Sequence, residues 1–269
     1  MIICDLSIQD YHSSCPEFLS KTTIRDYQTH GPAWFKMVHI DKTLAKKVPG
    51  GVEQGSAIDC WLTEGEATYR NRYAIKPEGM SFVTKEGKAW KESIGDCEII
   101  TAEDHAILLD AVAAVRGHPK WPEIEKCKAQ QTIRRKSDGL GLGLQSRPDF
   151  LNTDKGLYFD LKKCRDLDLF SKQAVSLGYA LQAGIAAWCL AGMGIVLEET
   201  YLIAVEWERG ARCRVYRVLD EALIAADSSM RAAAAEIADR IKRNDWTDHP
   251  PESEILQLTD WQIGKIGAT

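Results

Sequence analysis

From Thr101 to Pro119 the apolar residues Ile107, Leu108, Ala111, Val112 and Val115 recur at three- and four-residue spacing, which predicts a helix with one buried stripe. Thr101 and Asp104 approximate a capping box at its start, with Asp in place of the usual Glu or Gln, and Gly117 with Pro119 ends it. A second amphipathic helix is predicted over "DEALIAADSSMRAAAAEIADRIKRN" and a long Ala/Leu-rich one from roughly Asp168 to Leu190. Nearer the start, Ser20 is a plausible N-cap for a helix that Gly31-Pro32 stops. The stretch "GGVEQGSAIDCWLTEG", bounded by Pro49-Gly50-Gly51 and Gly65, suits a short buried helix in which Gly55, Ser56 and Ala57 allow close packing.

The pattern changes between about 130 and 163. Short segments split by "SDGLGLG" and "NTDKG" carry strand and turn chemistry. "TYLIAVEW" and "RCRVYRVL" predict two further strands around a hairpin turn at "ERGA", and the tail "PPESEILQLTDWQIGKI" is expected to pack on the surface. Helices, a hairpin, a helix, a second hairpin and a last helix make an α/β chain with a mixed sheet, rather than a regular βαβ repeat.

Composition narrows the classes. At 269 residues the chain is near the upper end of what one hydrophobic core can serve, so one domain is the default. No apolar run approaches the ~20 residues that span a bilayer. The start "MIICDLSIQDYHSSC" lacks a basic n-region and a long apolar h-region, so a cytoplasmic location is expected. Eight cysteines are scattered without any CxxC pair, which points to reduced core residues rather than zinc or iron–sulfur ligands. The net charge of −5 does not advertise a nucleic-acid binder, yet the stretch from Lys126 to Lys172 is locally basic.

That stretch also holds the candidate chemistry, "SRPDFLNTDKGLYFDLKKC". Strand side chains alternate, so Asp160 and Lys162 share a face that opens outward, while Phe159 and Leu161 face the core. Across the turn, Asp149 comes alongside Asp160. Two adjacent carboxylates repel unless a cation neutralises them, and Mg²⁺ with its oxygen ligands is the natural one. A lysine two residues on can hold an attacking water or stabilise charge on a phosphate in flight. A surface Asp–Lys cross-strand pair is the plainer alternative.

"RPDF…DLK" resembles the PD-(D/E)xK nuclease signature. Together with "GPAWF", "QGSAIDCWLTEG", "ITAED" and "YALQAG", in that order, the chain from about Tyr11 to Trp261 resembles the RecE-like exonucleases, the nuclease domain of exodeoxyribonuclease VIII and its phage relatives. The resemblance implies one domain over residues 1–269, with an N-terminal helical and loop segment (1–48), a restriction-endonuclease-like core of a central mixed sheet flanked by helices (49–245), and a tail (246–269). It implies a Mg²⁺-dependent 5′→3′ exonuclease on duplex DNA ends, with Mn²⁺ as a substitute. The 3′ single strands would pass to a RecT-like annealing partner in a phage or prophage system, and the enzyme would be a ring or tetramer.

On this resemblance Asp149 and Asp160 match metal-binding carboxylates, Lys162 the catalytic lysine, and Tyr179 and Gln182 the polar positions of the helix after the hairpin. The expected metal ligands are Asp59, Asp149, Asp160 and the Leu161 carbonyl. Arg134, Arg135, Lys136, Arg147, Lys163, Arg165 and Lys172 are the candidate DNA contacts. Two positions depart from the family: Asp59 stands where a histidine is usual, and Gln130 where a glutamate is. The alternatives are a related nuclease of other polarity or single-strand preference, and a DNA-end-binding protein on a decayed nuclease fold.

Overall fold

The computed structural model describes residues 2–46, 52–136, 139, 141–207, 212–248 and 259. The expected turn at 208–211 and, apart from Thr259, the tail from 249 onward lie outside the described residues, as does Pro49-Gly50-Gly51. In chain order the first elements are β1 (Ile2–Cys4), α1 (Ile8–Ser13), β2 (Phe18–Leu19), α2 (Lys21–Phe35), α3 (Val52–Thr63) and α4 (Glu66–Arg72). Next come β3 (Tyr73–Lys76), α5 (Lys85–Ser93), β4 (Glu98–Thr101), α6 (Ala102–Arg116) and α7 (Trp121–Ile124). The strands β5 (Lys128–Ala129), β6 (Thr132–Lys136), β7 (Gly143–Ser146), β8 (Phe150–Asn152) and β9 (Leu157–Cys164) follow. The chain then forms α8 (Phe170–Ser176), α9 (Tyr179–Ala191), β10 (Glu199–Glu206), β11 (Cys213–Val218) and α10 (Asp220–Arg243).

The fold is a mixed α/β arrangement. A five-stranded sheet has the order β11-β10-β9-β8-β5, a four-stranded sheet the order β1-β6-β7-β2, and β3 and β4 form a small parallel pair. In the larger sheet β9 is parallel to β10 and antiparallel to β8, so the sheet is mixed, as expected.

Side-chain alternation builds two cores on the two faces of that sheet. Leu157, Phe159 and Leu161 of β9 and Tyr201, Ile203 and Val205 of β10 pack against Ile58 and Trp61 of α3 and Leu108, Val112 and Val115 of α6. On the other face Tyr158 and Leu151 join Ile24, Ile185 and Met230, from α2, α9 and α10. Leu202 and Ala204 meet Phe170 and Tyr179 on that same side. Helices α9 and α10 approach closely: a Cβ at Gly184 would stand 2.9 Å from that of Ala226.

Three local expectations change. The single helix over 168–190 is two helices bent by 59°, because Gly178 takes a left-handed conformation (φ 61°) that ends α8 and starts α9 in a new direction. Gly31 (φ 80°) does break α2, but the helix resumes at Pro32, where a missing N–H costs nothing at a new first turn. Ser20 caps α2 as expected, in a reciprocal box with Thr23. In α3, Ala57 is fully buried, but Ser56 is exposed and Gly55 and Ser56 border a cleft instead of packing closely.

All eight cysteines are free, and Cys15, Cys60, Cys164 and Cys189 are buried. Among the described residues no single helix is long and apolar enough to cross a membrane.

Candidate active site

The hairpin register pairs Phe150 with Phe159 and Leu151 with Tyr158, and one step further sets Asp149 opposite Asp160. The Asp149 carboxylate accepts the Leu161 backbone N–H at 2.5 Å, which pins its side chain across the pair. Lys162, two residues beyond Asp160 on the same face, forms an ion pair with Asp160 Oδ2. Asp59, on α3, is brought to the same place from 90 residues upstream.

The charged face does not open outward, as the strand pattern suggested. Asp160 is fully buried, because α9 lies over that face of the central strand. Gln182 of α9 donates from Nε2 to Asp160 Oδ1 at 2.8 Å, and the Lys162 ammonium stands 5.2 Å from the ring centre of Tyr179. The Lys162 ammonium meets the other oxygen, Oδ2, so both oxygens of the buried carboxylate have a partner.

A cleft of about 920 Å³ joins these groups. Asp59, Asp149, Asp160, Leu161, Lys162, Lys163, Tyr179 and Gln182 all border it. So do residues that the sequence did not single out: Lys21 at the start of α2, and Asp26, His39 and Lys46. Lys21 stands 5.4 Å from the same Tyr179 ring that Lys162 approaches. Asp26 is buried and accepts from Lys46 Nζ at 2.7 Å and from His39 Nε2 at 2.9 Å. These residues lie more than 100 positions from the hairpin, so no local spacing links them to it; only the Ser20 cap, which fixes where α2 begins, marks the neighbourhood.

The electrostatics follow from burial and from like charges. Burial raises the Asp59 pKa to about 6, against the pull of Lys162 and the Gln130 hydrogen bond, with Asp160 adding to the rise. Asp149 is pushed well above the usual carboxylate range by burial and then by Asp59 and Asp160. Burial disfavours the Lys162 ammonium, but Asp160 and Asp149 outweigh it and hold its pKa above the ordinary value. Lys21 is lowered to about 8 by burial and by Lys162. For Asp26, burial works upward, but the His39 and Lys46 hydrogen bonds prevail and keep it below the ordinary value.

Among the described residues no set of three His, Cys, Asp or Glu side chains forms a ready-made metal cage. Each carboxylate is engaged: Asp160 by Lys162 and Gln182, Asp149 by the Leu161 N–H, and Asp59 by Gln130 at 2.8 and 3.0 Å. The donor set nonetheless fits a hard divalent cation. Carboxylates with raised pKa values converge on one cleft, and every candidate ligand atom is oxygen.

The candidate DNA contacts divide. Lys163 borders the cleft, where its ammonium donates to Gln54 Oε1 at 2.6 Å. Arg134, Arg135, Lys136 and Arg147 are not brought to the cleft wall. Arg134 donates to Gln145 Oε1 at 2.9 Å and to Ser14, and lies over the Phe18 ring. Arg135 bonds the Trp188 carbonyl at 2.8 Å and covers its indole, while Lys136 pairs with Glu17 at 2.7 Å. Arg147 donates to Gln130 Oε1 at 2.7 Å and to the Leu6 carbonyl. Arg165 and Lys172 are exposed beyond the cleft lining.

No family model matches the chain, and no curated protein matches it. Among solved structures it is similar to a protein described as a "putative exonuclease" from Eubacterium rectale, with a TM-score of 0.62 and 13% identity over 98% of this chain and 99% of that one. A phage-related exonuclease from Haemophilus somnus 129PT aligns loosely, with a TM-score of 0.36 and 14% identity over 84% of this chain and 96% of that one. At these identities the first likeness shows a shared α/β fold, and the second is too loose to show one.

Proposed function

We propose that the chain is a divalent-cation-dependent nuclease hydrolysing DNA phosphodiesters on a PD-(D/E)xK core. More narrowly, it is a RecE-like exodeoxyribonuclease that digests duplex ends 5′→3′ and leaves 3′ strands. The observation that carries this reading is the convergence of Asp149, Asp160 and Lys162 on one cleft. The fold shared with the Eubacterium rectale protein, itself named as an exonuclease, supports it.

In this reading Asp59, Asp149, Asp160 and the Leu161 carbonyl hold Mg²⁺, with Mn²⁺ as a substitute. A bound cation would polarise the scissile phosphate and acidify a water. The remaining work falls to side chains. Lys162 orients the attacking water and stabilises the charge that builds on the phosphate, in a site where burial strengthens each interaction. Gln182 fixes the Asp160 carboxylate, and Tyr179 flanks the lysine. Lys21, Lys46 and Lys163 face the cleft with positive charge suited to a phosphate chain. The proposal extends to an annealing partner, a ring or tetramer, and a phage or prophage recombination system in a bacterial cytoplasm.

A second reading, a DNA-end-binding protein without catalysis, draws on the carboxylates' existing partners. Duplex DNA labelled separately at each end, incubated with Mg²⁺, Mn²⁺ or chelator, separates the two. Metal-dependent release of the 5′ label first is the expected result. Binding of ends without release under any cation favours the second reading, and release of the 3′ label first assigns the opposite polarity.

A further inference from the structure

We infer that Gln130 is a positioning residue of this cleft: its side-chain amide, clamped by Arg147, holds the Asp59 carboxylate in the orientation needed to ligate a divalent cation. The inference rests on the metal-dependent reading above.

Gln130 directly follows β5 and has a φ of 55°, a left-handed conformation that residues other than glycine seldom adopt. Its backbone N–H donates to the Asp149 carbonyl at 3.0 Å, so the excursion is anchored at one of the candidate ligands. From there the side chain reaches α3. Nε2 donates to both Asp59 oxygens, at 2.8 and 3.0 Å, while Oε1 accepts from Arg147 Nε at 2.7 Å.

The chemistry of the two neighbours selects an amide. A guanidinium has only donors and an ionised carboxylate only acceptors. A bridge between them must accept at one end and donate at the other. A carboxylate at 130 would satisfy Arg147 but meet Asp59 as a second acceptor, and an apolar side chain would satisfy neither. Arg147 also fixes which way round the amide sits. Asp59, Gln130 and Arg147 therefore form one chain of donors and acceptors.

Arg147 extends the arrangement to the second carboxylate. Its guanidinium is held by the Leu6 carbonyl and by Thr132 Oγ1 at 3.3 Å. Its own carbonyl accepts from Gln182 Nε2 at 3.2 Å, and that same nitrogen donates to Asp160 at 2.8 Å. Asp59 and Asp160 are thus each held by a glutamine amide, and both glutamines are tied to Arg147. Partners of this kind, behind a ligand, orient it and tune its affinity for metal.

The test is Mn²⁺ binding to the full chain by calorimetry, without DNA. Gln130→Met keeps the length of the side chain and removes its hydrogen bonds to Asp59 and Arg147. It should weaken Mn²⁺ affinity by about 10–100-fold. Asp59→Asn should also weaken it, and the double variant should be no weaker than Asp59→Asn alone, because Gln130 acts through Asp59. If Gln130→Met does not fold, Gln130→Asn, whose amide is too short for the bridge, takes its place with the same expectation. Wild-type affinity in the position-130 variant, or losses that add in the double variant, would overturn the inference while leaving the metal centre standing. Failure of the unaltered protein to bind Mn²⁺ would overturn the metal reading and this inference together.

Discussion

The two faces of β9 differ more than their one-residue offset suggests. Phe159 and Leu161 are buried in a core of apolar side chains, with Phe159 stacked on Tyr201 at 5.0 Å. Asp160 is as deeply buried as Phe159, but among Lys162, Gln182 and two further carboxylates. One face is held by exclusion of water from Leu157 to Leu161; the other has apolar packing at Tyr158 and, two residues on, charge and hydrogen bonds at the edge of a cleft. Burial therefore stabilises the first face outright. On the second it sharpens electrostatics and leaves like charges that call for a cation.

The largest expected effect on stability comes from the apolar face. Phe159→Ala should cost roughly 3–5 kcal/mol, as the ring has no solvent-exposed surface to give up and leaves a cavity. Its DNA hydrolysis per folded molecule, measured well below the lowered melting temperature, should stay near normal. A large drop in that rate would show that the two faces are not separable. Next is Lys162→Ala, which should slow hydrolysis by about 10²–10³-fold. It should also lower the melting temperature, since Asp160 is left buried without its cation. Near-normal cleavage by the folded variant would remove Lys162 from the chemistry.

The carboxylates predict a pH effect of defined sign. Asp59 has a folded-state pKa of about 6, above its ordinary value, and Asp149 is shifted the same way. Their contribution to stability is present at pH below the ordinary carboxylate value; Asp59's is lost as pH rises through about 6, and Asp149's as pH rises through its own raised value. In chelator, this contribution lowers stability between pH 4 and pH 7. Added Mg²⁺ should therefore raise the melting temperature more at pH 7.5 than at pH 5. An equal shift at both values would place cation binding elsewhere.

A smaller effect separates the arginines from the cleft lysines. Lys21→Ala and Lys163→Ala should each flatten the log–log salt dependence of DNA binding by about one unit, as for a lost phosphate contact. Neutralising Arg134 and Arg135 should leave that slope unchanged and cost stability instead, since their guanidinium groups bond Ser14, Gln145 and Trp188. A flattened slope in the arginine double variant would put the DNA track along β6 of the four-stranded sheet, outside the cleft.

How much was legible in the sequence follows from where each constraint acts. Helices α6 and α10 and the strands β9 to β11 carry strong periodicity, and they form where the pattern puts them. The hairpin register was readable because its turn and alternation are local. The short elements β1, α1 and β2, and the whole segment from α4 to β4, offer too few turns or alternations to register. The burial of Asp160 depends on α9, whose course depends on the bend at Gly178. Alternation tells which residues share a face; it does not tell what covers that face. Lys21, Asp26, His39 and Lys46 reach the cleft through tertiary packing alone.

The most direct test of a cation-dependent hydrolytic centre on β9 is the hydrolysis of end-labelled duplex DNA by Asp160→Asn, beside a thermal melt of the same sample. The substitution keeps the shape of a fully buried side chain and removes its charge. Asp160→Asn should lose Mg²⁺-dependent cleavage by at least about 10²-fold in a protein that still melts cooperatively. Wild-type cleavage by Asp160→Asn would contradict such a centre.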